Sequence, residues 1–401
     1  MATGRLQVEL YNQSQATPVV SGRVTVSSGG QVFYDVYTDS SGQTIEMELE
    51  APPIEYSLEQ DEPQPYSTYT IQISADGYKD VIINGAQVFA DRTALQRVIM
   101  IPGSGQEIIN VPPPVLWGDY PEKEPEEEVK PIPDETGFVV LDRIVIPEYI
   151  VVKDGVPSGD GEIFYVPYKD YIKNVASSEI YSTWADAAIR ANVLAIQSFT
   201  LNRVFTEWYR NRGYNFTITN STRYDQSFSP GRTIYENIST IVDEMFVNFL
   251  RREGQRQPLF AQYCDGRRVQ CPGWMTQWGS EDLAQQGYSA IQIIRYFYGD
   301  DVFIDTAERV QGVPLSYPGT ELSIGSTGND VRTIQRQLNS ISQTYSAIPS
   351  LRVDGIYGEG TAEAVREFQK IFNLPQTGVV DLATWYEISQ IYVAIERLAE
   401  L

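Results

Sequence analysis

One stretch of this chain resists both of the regular structures. Residues 103 to 136 contain Pro112-Pro113-Pro114, then Asp119-Tyr120-Pro121-Glu122-Lys123-Glu124-Pro125-Glu126-Glu127-Glu128. Proline fixes φ and removes a backbone donor, and crowded carboxylates repel one another, so the backbone here is expected to stay extended. The stretch splits the chain into separately folding pieces, which suits a length of 401 residues. It is either a processing site, because exposed linkers are where proteases cut, or a plain spacer.

Before it, Arg5–Tyr11 alternates polar and apolar residues, and strands are expected at Val19–Ser27, Val32–Thr38, Thr44–Leu49, Tyr69–Ser74 and Val81–Asn84. Turns such as Ser28-Gly29-Gly30 separate them, which predicts an antiparallel β-sandwich. Asp39-Ser40-Ser41-Gly42 together with Ala75-Asp76-Gly77-Tyr78 resembles the carboxypeptidase-regulatory or transthyretin-like sandwich. After the linker, apolar alternation returns over 139–152, followed by helices at Tyr168–Ser177, Trp184–Arg210, Ile234–Leu250 and Glu281–Tyr298. Helices at Val331–Ser340, Thr361–Phe372 and Leu382–Leu398 close the chain as a compact three-helix unit. The expected fold class is multidomain α+β. Its parts are an N-terminal antiparallel β-sandwich (1–103), an acidic linker (104–138), a central mixed α/β unit (139–312) and a C-terminal three-helix domain (318–401).

Composition removes several chemistries. The chain has no histidine, so Ser-His-Asp and Cys-His mechanisms are excluded and catalysis must lean on carboxylates, tyrosines or lysines. Cys264 and Cys271 alone do not complete a structural zinc site; they are either a disulfide or two thiols, and no metal or cofactor is expected. A net charge of −23 argues against nucleic-acid binding and against an electrostatic grip on anionic membranes or walls. The 26 tyrosines fit either a carbohydrate groove or sheet packing. No membrane span is expected, and the first residues do not read as a secretory signal.

The candidate catalyst is Glu179. It follows the first helix, between Ser178 and Ile180-Tyr181. A carboxyl group half-buried at a helix end has the raised pKa that a general acid needs, whereas a solvated one does not.

The stretch Tyr168–Ile180, followed by Ala188–Phe199, resembles the opening of the SpoIID/LytB-type domain, and that family's catalytic glutamate falls on Glu179. Tyr224-Asp225-Gln226-Ser227-Phe228 and Cys271-Pro272-Gly273-Trp274-Met275-Thr276-Gln277-Trp278-Gly279-Ser280 match two further segments in order. Gln197 stands where the family usually has arginine, and Cys271 where it has histidine. The resemblance implies a substrate-binding set of Ser178, Tyr181, Gln197, Asp225, Gln226, Tyr263, Gln277 and Trp278. At the C-terminus, Leu322–Val331, Asp354-Gly355-Ile356-Tyr357-Gly358, Thr361, Phe368-Gln369 and Thr384-Trp385 resemble the peptidoglycan-binding domain.

The order of parts resembles the spore cortex-lytic enzymes of clostridia. That resemblance implies a lytic transglycosylase acting on peptidoglycan glycan strands, located in the spore cortex or the extracytoplasmic wall. It also implies synthesis as a zymogen and activation during germination by a subtilisin-like protease, cutting between the acidic linker and the 139–152 strands. The alternatives are a non-catalytic wall-binding structural or assembly protein and a muramidase-type hydrolase.

Overall fold

A computed structural model describes residues 2–12, 16–59, 63–118, 120–130 and 143–396. The N-terminal strands are β1 (Ala2–Tyr11), β2 (Arg23–Ser28), β3 (Gln31–Tyr37), β4 (Met47–Ala51), β5 (Ser67–Ser74), β6 (Asp80–Val88), β7 (Thr93–Ile99) and β8 (Gln106–Asn110). They form two sheets. One has the order β3-β2-β5-β6-β8, and the other places β7-β1-β4 beside the short strand Ile234–Tyr235. Alternate residues such as Leu6, Val8, Val24, Val26, Ile71 and Ile83 are fully buried, as period-2 patterning requires of strands with one covered face.

The sandwich is mixed rather than antiparallel. β1 runs parallel to β7, and β6 parallel to β8. Sequence reading missed β7 because its residues TALQRVI do not alternate: Thr93 to Gln96 are all buried. The reason is that a strand of the central unit covers it. Ile234 and Tyr235 pair with Leu95 and Ala94, and the buried Gln96 side chain donates to Gly231 O at 3.0 Å and accepts from Thr233 Oγ1 at 2.8 Å.

The helices are α1 (Tyr168–Glu179), α2 (Asp186–Phe205), α3 (Glu236–Met245), α4 (Gln277–Gln285), α5 (Ala290–Tyr298), α6 (Asn329–Ile341), α7 (Glu359–Ile371) and α8 (Leu382–Glu396). The helix expected over Ile234–Leu250 stops at Met245 and gives way to the strand Asn248–Arg252. The one expected over Glu281–Tyr298 is two helices, divided at Gln286-Gly287-Tyr288 with a Ser289/Gln292 capping box opening the second. Gly287 takes φ +88°, a conformation that ends α4 without a Cβ penalty.

The keel of the central unit is α2, packed against α1, α3, α4, α5 and the strand Asn248–Arg252. Burial on every side explains why its polar residues are committed: Asn192 donates to Ser280 Oγ at 2.7 Å and Asn202 to Pro258 O at 2.8 Å.

The C-terminal helices carry the same lock twice. Gln335 accepts from Gly355 N at 2.9 Å, and Gln369 accepts from Gly378 N at 2.8 Å; each glutamine also donates to a threonine, Thr361 or Thr384. This unit docks on both others. Tyr345 donates to Ala16 O at 2.9 Å, and buried Lys169 of α1 bridges Asp243 of α3 and Glu387 of α8.

The stretch expected to be a loose linker is the largest departure. Part of it is β8, and residues 120–130 pack against the central unit. The end of the 104–138 linker, where cleavage is expected, and the expected strand at 139–141 lie outside the described residues.

Candidate active site

Glu179 is the last residue of α1, not a residue beyond it, and it is 0% exposed. Tyr171, Ile172, Val175 and Ala176 bury the face that fixes this helix. The carboxylate therefore sits at the negative pole of a helix, the end least favourable to an anion. Ser227 N donates to Oε1 at 2.6 Å and the Tyr263 hydroxyl to Oε2 at 2.5 Å. Burial raises the Glu179 pKa above the ordinary carboxylate value; Lys123, Tyr263 and Ser227 pull the other way.

Gln226 holds this pocket together. Its Nε2 donates to Ile196 O at 3.1 Å and to the Tyr263 hydroxyl at 3.2 Å, while its Oε1 accepts from Tyr171 at 3.1 Å and Thr200 at 2.8 Å. Gln277 Nε2 donates to Glu179 O at 3.1 Å. The preceding loop is tight: Gly266 has φ +81°, and a Cβ there would lie 2.3 Å from Thr276.

Asp225, the neighbour of Gln226, is just as buried but differently served. Arg203 Nε donates to Oδ1 at 2.7 Å; Tyr209 and Thr219 Oγ1 donate to Oδ2 at 2.7 Å, and Thr219 N at 2.8 Å. Asp265 accepts three backbone amides, from Arg267, Arg268 and Val269. Both carboxylates are occupied by the fold.

Other expected site residues lie apart from the carboxyl group. Gln197 Nε2 donates to Met245 O at 3.0 Å and Asn248 O at 3.3 Å, fastening the turn after α3. Tyr181 and Trp278 form an aromatic cluster with Trp184, 5.1 to 6.0 Å between centroids, and Phe89 of the sandwich packs on Tyr181. Ser178 is buried beside Glu179, and its carbonyl accepts from Val115 N at 3.0 Å. Cys264 and Cys271 are joined as a disulfide with Cα atoms 6.0 Å apart.

The residues that sequence reasoning missed come from the acidic stretch. Val115 and Tyr120 pack on Cys264, Val269 and Cys271. Lys123 is buried, donates to Asp225 O at 2.9 Å, and lies 4.5 Å from the centre of the Tyr263 ring. Burial lowers the Lys123 pKa, opposed by Glu179 and Asp225.

Beyond it, the carboxylates of residues 120–130, a segment that straps across the central unit, meet arginines. Glu124 pairs with Arg223, Glu126 with Arg203 at 2.6 Å, and Glu128 with Arg252 at 2.8 Å. Burial would raise the Glu126 pKa, but Arg203 and Lys130 outweigh it and hold it low. Lys130 sits 4.0 Å from the Phe260 ring centre and 4.2 Å from that of Trp208; burial lowers its pKa to about 8. The available sequence signal was two lysines and an acid at every second position, facing a stretch from 203 to 268 with ten arginines.

Among the described residues no group of three or more His, Cys, Asp or Glu could hold a metal ion, and no helix is long and apolar enough to cross a membrane. A cavity of about 960 Å³ lies between the three units, bordered by Arg97, Tyr165, Asn174 and Glu387; Glu179 is not in its wall.

Residues 327–388 match the model of a family described as "Putative peptidoglycan binding domain". No curated protein matches the chain. Solved structures similar to parts of it include the SleB N-terminal domain, at 28% identity, covering 19% of this chain and 99% of that one with a TM-score of 0.17. The Bacillus anthracis TIE protein is similar at 14% identity, with coverages of 25% and 17% and a TM-score of 0.19. Klebsiella pneumoniae 5-hydroxyisourate hydrolase is similar at 14% identity, with coverages of 25% and 91% and a TM-score of 0.18. The family match supports a cell-wall-associated protein whose C-terminal unit binds peptidoglycan.

Proposed function

We propose that this chain is a peptidoglycan lytic transglycosylase made as a zymogen, with Glu179 as its single acid/base catalyst. The observation that carries the reading is a fully buried carboxyl group with a raised pKa, held by Tyr263 and Ser227. Protonated Glu179 gives its proton to the glycosidic oxygen between N-acetylmuramic acid and N-acetylglucosamine as the bond to C1 breaks. The resulting carboxylate takes the proton from the muramoyl O6, which closes on C1 and leaves a 1,6-anhydromuramoyl end. One carboxyl group suffices because the substrate supplies the nucleophile.

A muramidase-type hydrolase would need a second carboxyl group to activate water or form a covalent intermediate. Asp225 has four donors on it, including the buried Arg203 guanidinium, and supports the site rather than reacting.

The order of units resembles SleC, the clostridial cortex-lytic enzyme, which favours spore cortex as substrate and a germination protease as activator. The expected activation region, 131–138, follows directly on the docked strap. The zymogen reading is supported by two buried strap residues: Lys123, whose positive charge lowers the Glu179 pKa and which lies over the Tyr263 ring, and Tyr120, which packs on Cys264 and Cys271. The sandwich shares a sheet with Ile234–Tyr235, so a cut at 131–138 leaves it seated by that pairing and frees one end of the strap. Zymography of the full chain before and after such a cut tests the reading. A lytic band is expected only after cutting and is lost in Glu179→Gln; a cut chain with no lysis favours the non-catalytic wall-binding alternative.

A further inference from the structure

The chain as a whole is strongly acidic, with a net charge of −23, yet the stretch that meets residues 120–130 is not. Between residues 203 and 268 there are ten arginines, no lysine and seven acidic residues, whereas residues 120–130 carry five carboxylates and two lysines. Three of the strap's five carboxylates pair with three of these arginines. Glu124, Glu126 and Glu128 fall on alternate positions, so in an extended chain they share one side. They meet Arg223, Arg203 and Arg252 in turn.

The backbone is held as well. Glu124 N donates to Arg223 O at 2.8 Å, and Gln257 accepts from Lys130 N at 3.1 Å and donates to Lys130 O at 3.2 Å. The strap is thus a largely anionic segment docked along a track that passes the Tyr263 ring, whose hydroxyl holds Glu179.

We propose that this track is a carboxylate-reading substrate groove, and that the strap occupies it as a stand-in for an anionic glycan strand. Resting on the transglycosylase reading, the inference adds a substrate class: glycan with free carboxylates, on lactyl groups or stem peptides. Neutral glycan is the poorer ligand. The three arginines differ in what they keep when the strap leaves. Arg203 retains Asp225, and Arg252 retains Asp301. Arg223 is half exposed with Glu124 as its ion-pair partner, so it is the position that senses an incoming carboxylate most directly.

The groove also resolves an apparent conflict. An acidic protein should avoid a polyanionic wall, but here part of the acid is the strap itself, and its release uncovers the basic face at the catalyst.

The test uses the full chain in a Glu179→Gln background, so that binding is read without turnover and does not depend on whether the chain cleaves. Glu124→Lys, Glu126→Lys and Glu128→Lys together set three like charges against the arginines and should unseat the strap, seen as rapid proteolysis within 120–130. The probes are soluble glycan fragments with free lactyl carboxylates, the same with stem peptides, and both after amidation with ethanolamine. The peptidoglycan-binding unit contributes equally to closed and opened chains, so the difference isolates the groove.

The opened chain should bind the acidic fragments roughly tenfold tighter than the closed chain, as two partly exposed ion pairs, at Arg223 and Arg252, would give. Amidation, added salt or Arg223→Glu should remove most of that gain. The lactyl and peptide arms tell which carboxylate is read. The milder Glu124→Gln/Glu128→Gln chain, which keeps the buried Glu126–Arg203 pair, should give the same order with a smaller gain. Equal affinity for acidic and amidated fragments overturns the proposal, and so does a strap that stays seated against three reversed charges.

Discussion

Asp225 and Glu179 are both buried carboxylates reached by the same loop, and their surroundings differ. Four donors converge on Asp225, one of them a guanidinium. Glu179 receives two, both neutral, at the negative end of a helix. A buried charge compensated by an opposite charge is a structural member, and one left short of compensation is available for proton transfer. The environment separates them, since sequence shows only two acids 46 positions apart.

The sharpest way to break this comparison is to neutralise each in turn. Glu179→Gln should cost about a thousandfold in cleavage by the opened chain, within the range a general acid supplies. It should leave the melting temperature unchanged or higher. Because burial raises the Glu179 pKa, its contribution to stability is fully present below the ordinary carboxylate pKa and is lost as pH rises through the raised one. Replacing it with a neutral amide removes that loss at neutral pH. Asp225→Asn should do the reverse in the opened chain, where Glu126 has also left Arg203, costing about 3–5 kcal/mol of stability by leaving that buried guanidinium without a carboxylate, as read by urea unfolding.

A smaller effect is expected from Tyr263→Phe. Losing one hydrogen bond to a charged group should lower the rate by about ten- to a hundredfold. That bond holds the Glu179 pKa down, so the alkaline limb of the pH–rate profile should move to higher pH in the variant. The smallest effect is that of Lys123→Met in the uncut chain. Losing its cation–π contact should make the strap severalfold more susceptible to proteolysis, and Glu179 should titrate higher still, because Lys123 lowers it.

The C-terminal unit was legible because its signals are local: Gly355 and Gly378 sit in short turns locked by Gln335 and Gln369, and the helices α6 and α7 fall within two residues of the expected ends. The position of Glu179 at a helix end was legible in the sequence, and Tyr263, Gln226 and Gln277 gather around it. The partners of Gln197, Tyr181 and Trp278 were not legible because they are distant in sequence: the turn after α3 and the aromatic packing toward Phe89. The strap was misread for the same reason. Proline and repulsion among carboxylates do preclude regular structure, but they say nothing about docking, which Arg203, Arg223 and Arg252 decide from 70 to 130 residues away.

The central claim is that one carboxyl group, hidden under the strap, performs an intramolecular transglycosylation. It is tested most directly by mass spectrometry of the products released from spore cortex peptidoglycan by the opened chain, beside the closed one. The account expects 1,6-anhydromuramoyl ends from the opened chain, with none from the closed chain or from Glu179→Gln. Reducing muramic acid ends, or equal release by the closed chain, would contradict it.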